Sequence, residues 1–419
     1  MKLFRAFLSG LTCVALWGGL TSSVFPESFL GSDVLESSIE DRDVDDSALR
    51  FANDTLRSVD LVQAQPDERR ELGQQLVQEL SQCLSRAITE RESDSPTELQ
   101  AVSMRCTIQV ILLDETGNVR PDASDRMTAL LAVTGASVPQ TTSRGQATVS
   151  LEKLPDGQIF TVPVEIAGQS QRFLLDTGAS NSILSQQIIQ PLGLLGIQIP
   201  SELLSYFVVG DDCSSVTASL HRLPPVQVNA AVVEGMMGMG LSQNSIPGGL
   251  TGVLGMDFLK GFDVVVDPKA LTLQLLTSST PVEDAIPLQC KLGVMTTQVY
   301  INGQGPFSFL LDTGADLMVV SQRLTEQLSI PTNATESVDV RGFCGVELGQ
   351  KTQLGSVRLQ SWEQRDLDAV VLDNEIFDLL GVEGIVGQNY LTQYQQYWRF
   401  GEASSLGFSE TGSLSLDPL

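Results

Sequence analysis

The chain has 419 residues, 42% of them apolar, which is ample for packed cores and long for one domain, so two or three domains are expected. Its 25 basic residues against 51 acidic ones give a net charge of -26, which excludes nucleic acid and anionic membrane surfaces as natural partners and favours solubility. Glycine is frequent, with 36 residues, and aromatic residues make up only 6%, a balance that suits a turn-rich β protein better than a helical bundle.

At the N-terminus, Lys2 and Arg5 precede an uncharged stretch from Ala6 to Leu20, and Thr21, Ser22 and Ser23 offer a cleavage point. Residues 1–23 therefore read as an export signal. The apolar run is short for a membrane span, which takes about 20 residues. No stable membrane insertion is expected after cleavage. A periplasmic or extracellular protein follows, membrane-anchored if the signal is retained.

Residues 24–60 carry ten acidic and three basic side chains with few large apolar ones, the composition of a disordered arm. From Pro66 to Glu92 the apolar positions Leu72, Leu76, Leu80, Cys83, Leu84, Ala87 and Ile88 recur at three and four, which predicts an amphipathic helix. An apolar run from Thr107 to Leu113 leads into Asp114-Glu-Thr-Gly117, which reads as a hairpin turn, and Arg126 to Val133 reads as a short helix. Residues 61–135 would then form a small α+β accessory domain or propeptide, with Cys83 and Cys106 as a candidate bridge.

Cys13 lies in the export segment, leaving Cys83, Cys106, Cys213, Cys290 and Cys344, with no Cys-x-x-Cys spacing, so a structural zinc site is disfavoured. Two disulfides and one free thiol would fit an oxidising compartment; five buried thiols are the alternative. His221 is the single histidine and no Gly-x-Ser-x-Gly elbow accompanies it, so a core or surface role is expected for it rather than nucleophilic catalysis. No metal, nucleotide or flavin signature occurs, and no cofactor is expected.

A Pro, Gly and Thr rich passage around residues 134–157 separates this region from two long repeats, residues 150–276 and 286–410, joined by the polar linker Thr277 to Asp284. Each opens with strand-like alternation, Val162, Val164 and Ile166 before a turn at Gly168, then Val299 and Ile301 before a turn at Gly303. Each continues into the same frame: Phe173-Leu-Leu-Asp-Thr-Gly-Ala-Ser-Asn-Ser-Ile-Leu-Ser-Gln186 and Phe309-Leu-Leu-Asp-Thr-Gly-Ala-Asp-Leu-Met-Val-Val-Ser-Gln322. Late in each repeat comes an apolar pair and a glycine, Gly252-Val-Leu-Gly-Met-Asp-Phe-Leu259 and Gly384-Ile-Val-Gly-Gln-Asn-Tyr-Leu391. Asp176 precedes Gly255 by 79 residues and Asp312 precedes Gly387 by 75, so a whole domain is duplicated. Between these landmarks, Val209-Gly-Asp-Asp-Cys-Ser214 and Val340-Arg-Gly-Phe-Cys-Gly345 occupy comparable positions.

Over residues 150–410 the chain resembles the retropepsin-like aspartic proteases, specifically bacterial forms with two such domains in tandem. The resemblance implies a mainly β protein of two acid-protease lobes related by a pseudo-two-fold axis. It implies that Asp176 and Asp312 form an intramolecular catalytic pair, that Thr177 and Thr313 bond across the axis, and that Gly178 and Gly314 allow close backbone approach, with Ala179 and Ala315 completing the loops. Gly255 and Gly387 would thread behind the Asp loops. Asp212, Cys213, Phe343 and Cys344 would lie near flap tips over the cleft, where a Cys213–Cys344 bridge would clamp the cleft, against two unpaired cysteines in unrelated loops. Substrate would be an extended peptide or protein segment, and the protein a monomer acting as its own pseudo-dimer. A non-catalytic peptide-binding protein, or an enzyme whose dyads form between chains, are the competing readings.

Two carboxylates a few ångströms apart cannot both ionise cheaply, so such a pair shares a proton, one member acting as base toward a water and the other as acid toward the scissile carbonyl. Two departures from the family pattern stand out. The Arg that commonly follows the late Gly is replaced by Met256 and Gln388, so its ion pair with an Asp such as Asp316 is absent. Ala179 and Ala315 carry no hydroxyl to donate to the carboxylates, which points to a mildly acidic rather than strongly acidic optimum. Asp257 and Asn389 are expected to be structural.

Overall fold

The computed structural model describes residues 5–7, 66–90, 96–115, 120, 122–134, 140–155, 157–200, 204, 213–242, 246–374, 376–403 and 407–419. The chain divides into a smaller unit, Gly19–Val138, and a larger one made of Met1–Gly18 and Pro139–Leu419.

In the smaller unit the helix Pro66–Glu90 buries Leu76 and Leu80 against the helix Ala123–Thr134. Gly73 permits the approach, since a Cβ there would lie 2.4 Å from the Ala129 carbonyl oxygen. The helix Pro96–Thr107 continues as one π-helical turn, Ile108–Leu112. The described part of this region is therefore helical where α+β is expected from the sequence. The reason lies in the run itself: a short, wholly apolar stretch has no period to separate a buried helix from a strand. Here Ile108, Val110, Ile111 and Leu112 are all buried among the other helices. Arg126 donates from Nε and Nη2 to the Val110 carbonyl at 3.0 and 2.8 Å, satisfying an acceptor near the end of that turn. A disulfide joins Cys83 to Cys106. The acidic arm, residues 24–60, and the turn residues 116–119 lie outside the described residues.

The larger unit is mainly β and holds two sheets, one of 11 strands and one of 14. Strand Phe160–Ile166 returns as Gln169–Leu175 through Ala167 and Gly168, both at positive φ, and Val294–Ile301 returns as Gln304–Leu311 through Asn302 and Gly303 in the same conformation. The alternation is real: Val162, Val164 and Ile166 are buried on one face, as are Val299 and Ile301. The late segments Gly252–Leu254 and Gly384–Val386 then slot parallel beside the Asp-bearing strands, Leu254 opposite Leu175 and Val386 opposite Leu311. Each is antiparallel to the strand that leaves the Asp loop, Ile183–Ser185 or Met318–Ser321.

The same plan continues outward. A short helix, Gln186–Leu192 or Gln322–Leu328, follows the outgoing strand. Next comes a hairpin, Gly196–Ile199 with Ala218–Arg222 in the first lobe and Thr332–Gly342 with Gly345–Leu359 in the second. A further strand, Met237–Leu241 or Trp362–Leu372, closes back in parallel beside the outgoing strand. A three-residue strand, Arg5–Phe7, lies parallel to Thr332–Gly342 with Arg5 opposite Asp339.

The lobe edges differ from the expected residues 150–276 and 286–410. Ala147–Ser150, Asp263–Asp267 and Thr272–Leu276 join the sheet of the second lobe, where Val264 pairs with Trp398. Thr411–Pro418 runs past residue 410 to pair with both Ile286–Lys291 and Tyr394–Phe400. These strands belong to one repeat in sequence and to a shared sheet in space, and the alternation within each carries no mark of its partner.

Gly255 and Gly387 show why the late glycine is required. Their φ values, -96° and -95°, suit any residue. Space is what they lack: a Cβ on Gly387 would lie 2.3 Å from the Leu317 carbonyl oxygen and 2.9 Å from that of Ala315, and one on Gly255 would lie 2.8 Å from the Ala179 oxygen. Because the obstacles are backbone, Gly255→Ala and Gly387→Ala should each destabilise the larger unit by about 1–3 kcal/mol or more, measured by denaturant unfolding. Wild-type stability in both would reject this packing.

Candidate active site

The two Asp-Thr-Gly-Ala loops meet face to face. Asp176 and Asp312 are completely buried at the ends of their strands, where Asp176 N–H donates to the Leu254 carbonyl at 3.1 Å and Asp312 N–H to that of Val386 at 3.0 Å. Thr177 N–H donates to Thr313 Oγ1 and Thr313 N–H to Thr177 Oγ1, both at 3.0 Å. Each hydroxyl then donates onward across the lobe boundary, Thr177 to the Leu311 carbonyl at 2.9 Å and Thr313 to that of Leu175 at 3.0 Å.

The carboxyls are held by backbone. Asp176 Oδ1 accepts from Gly178 N–H at 2.8 Å and Ala179 N–H at 3.0 Å, and Asp312 Oδ1 accepts from Gly314 N–H at 2.7 Å. A Cβ added to Gly178 would fall 2.4 Å from Asp312 Cγ and 2.6 Å from each of its oxygens. The Asp312 carboxyl thus rests against the same glycine whose N–H holds Asp176. Gly178 is what lets the two carboxyls share this space.

Gln388 and Met256, at the family's Arg position, support the loops differently. Gln388 is buried and donates from Nε2 to the Thr313 carbonyl at 3.0 Å, whereas Met256 is packed as an apolar side chain. Asp316 turns outward from its own lobe and accepts from the backbone N–H of Gln158, whose side-chain oxygen in turn accepts from Thr392 Oγ1 at 2.9 Å. Gln158 and Thr392 had no signal in the sequence. Neither belongs to the repeated frame, and their link to Asp316 spans the lobes.

Asp257 and Asn389 anchor the segments behind the loops. Asp257 Oδ1 accepts from Ser182 N–H, Ser182 Oγ and Phe258 N–H at 2.9, 2.7 and 2.9 Å. Asn389 accepts from Met318 N–H and donates to the Asp368 carbonyl, both at 2.8 Å. Burial pushes the Asp257 carboxyl up to about 6, opposed by the Ser182 bonds and by the positive charge of Lys260. Burial also lowers the Lys260 ammonium and lifts the nearby Cys290 thiol to about 11. His221 lies in the core between Gly196 and Gly240, bonded to Ser219 at 2.7 Å, and burial lowers its basicity.

At the expected flap of the second lobe, Phe343 and Cys344 form the two-residue tip between the paired residues Gly342 and Gly345, and both are buried. Cys213 is bonded to Cys344, with Cα atoms 4.5 Å apart, and Cys290 is the free cysteine among the described residues. Asp212 lies outside the described residues.

Residues 162–261 and 297–393 each match the family described as gag-polyprotein putative aspartyl protease. The two lobes belong to the retropepsin-like aspartyl protease family. No curated protein matches the chain. The matched segments begin within Phe160–Ile166 and Val294–Ile301 and end six residues beyond Gly255 and Gly387, so each Asp-Thr-Gly-Ala and each late glycine falls inside a match.

A carboxyl that ionises less readily in the folded chain than in the unfolded one withdraws stability as the pH rises. For Asp257 the contribution is complete below about pH 4 and is lost as the pH climbs through about 6. Asp257→Asn, which installs the amide found at Asn389, should remove on the order of 3 kcal/mol of this pH-dependent loss. Denaturant unfolding at pH steps across that window reads it directly, and an unchanged slope would reject the assignment.

Proposed function

We propose that the chain is an aspartic endopeptidase whose single active site is formed within one chain by Asp176 and Asp312. The contact that carries this reading is the Asp312 carboxyl lying against Gly178, the residue whose N–H holds Asp176. Two carboxyls confined in a dry site share one proton, and the titration belongs to the pair. The ionised member takes a proton from a water as it attacks the scissile carbonyl; the protonated member donates to the carbonyl oxygen. The backbone donors at Gly178, Ala179 and Gly314 fix the carboxyls before substrate arrives, so little reorganisation accompanies the reaction.

The reciprocal Thr177 and Thr313 bonds favour one intramolecular site over dyads shared between chains, since each loop is already occupied by its counterpart. An extended peptide is the substrate class that a cleft between two β lobes accommodates. Two disulfides among the described residues fit an exported protein, in keeping with a signal at residues 1–23.

Asp176→Asn and Asp312→Asn should each cut cleavage of a random peptide library by about a hundredfold or more, with both variants remaining folded. Unaltered cleavage in either variant would reject the dyad. With alanine at 179 and 315, the rate maximum should fall at mildly acidic pH, and a maximum near about pH 2 would contradict this.

A further inference from the structure

Thr177 and Thr313, which exchange identical bonds, lie 136 positions apart, as do Asp176 and Asp312. The same offset relates Gly157 to Gly293 and Ser180 to Asp316. These four residues meet in crossed pairs. A Cβ added to Gly157 would lie 2.8 and 3.1 Å from the two carboxyl oxygens of Asp316, and one added to Gly293 would lie 2.8 Å from Ser180 Cβ. In each lobe, then, the glycine just before the first strand approaches the residue four places past the loop aspartate of the other lobe.

The two crossings differ in chemistry. Asp316 is buried, and its Oδ1 accepts from the Gln158 N–H, while Gln158 Oε1 accepts from Thr392 Oγ1 at 2.9 Å. Thr392 caps the short helix Gln388–Leu391, and its hydroxyl also lies 2.6 Å from the Gln388 carbonyl. That helix grips the Asp loop from its own lobe: Gln388 N–H and Nε2 donate to the Ala315 and Thr313 carbonyls at 2.7 and 3.0 Å, and Asn389 N–H donates to the Asp316 carbonyl at 3.0 Å. In the first lobe, Met256 and Asp257 N–H make the matching bonds to the Ala179 and Ser180 carbonyls at 2.8 and 3.1 Å. Met256 has no side-chain donor for the Thr177 carbonyl, and the position equivalent to Gln158 is Val294, whose side chain has no acceptor.

Resting on the peptidase reading, we infer that Gln158 and Asp316 are positioning residues for the reaction: their bond across the lobes sets the Asp312 loop, in place of the ion pair that Gln388 cannot make. The first lobe thereby fixes the second carboxyl through a polar clamp, and the second lobe returns only the packing of Gly293 on Ser180. Neither positioning residue adjoins the carboxyls in sequence; each acts through the loop Asp312–Asp316. Catalytic groups must be held to within about 0.5 Å of the productive geometry, and a shift of about 1 Å can cost a hundredfold in rate. Releasing the clamp should therefore lower turnover more than substrate affinity.

The test measures kcat and KM of the full chain on one linear peptide that the wild type cuts from a random library. Asp316→Ala, which removes the acceptor, should lower kcat about tenfold or more while KM stays within about twofold. Asp316→Asn keeps an oxygen for the Gln158 N–H and should bring kcat back to within about threefold of wild type. Gly157→Ala displaces the carboxyl from the opposite lobe and should repeat the Asp316→Ala loss; it replaces that variant if Asp316→Ala shows no cooperative unfolding. Ser180→Ala, at the equivalent place in the first lobe, should cost less than about threefold. Wild-type kcat in Asp316→Ala or Gly157→Ala, no rescue by Asn, or an equal loss in Ser180→Ala overturns the clamp. Failure of the wild type to cut any library peptide overturns the peptidase reading and the clamp with it, so the wild-type measurement tells the two failures apart.

Discussion

The exchange of hydrogen bonds between Thr177 and Thr313 is the constraint on which the rest of the larger unit depends. Both side chains are buried, and each Oγ1 accepts one N–H and donates to one carbonyl of the opposite lobe. A buried hydroxyl or amide stripped of its partner costs about 1–3 kcal/mol, so shifting one lobe relative to the other breaks four bonds together. The residues immediately before and after each threonine, Asp176 with Gly178 and Asp312 with Gly314, inherit this position. The carboxyls are adjacent because the threonines leave them nowhere else to be.

Around that fixed centre the two lobes differ, and the differences fall where one chain gains by asymmetry. Gln388 bonds the Thr313 carbonyl whereas Met256 only packs; Asp257 is ionisable where Asn389 is neutral; Asp316 reaches Gln158 of the other lobe where Ser180 stands in the first. A homodimer would have to make every such choice twice. Duplication within one chain frees each lobe to satisfy its buried polar groups in its own way, provided the reciprocal threonines and the two late glycines are kept.

Much of this was legible in the sequence because repetition supplies a ruler. The paired Asp-Thr-Gly-Ala frames, the late glycines and the alternation before Gly168 and Gly303 each predict a strand, a loop or a close approach, and the positions found for them follow from sterics that act locally. What escaped was nonlocal or ambiguous. The Thr107 to Leu113 run has no period, so its helical state comes from its neighbours. The partnership of Asp263–Asp267 with Tyr394–Phe400 is a choice among sheet edges that neither strand announces. The bond from Gln158 to Asp316 joins a loop before the first repeat's strands to a residue of the second, 158 positions away.

Cys213 and Cys344 sit between these cases. Their spacing after the two Asp residues differs, 37 against 32, so sequence alone leaves open whether they are equivalent. The disulfide shows the pairing directly: Cys344, at the tip of its hairpin, is bonded to Cys213, five residues before Ala218–Arg222. The lobes are thus tied twice, by the reciprocal threonine bonds beside the carboxyls and by a covalent link, the first legible in the repeated frame and the second only in three dimensions.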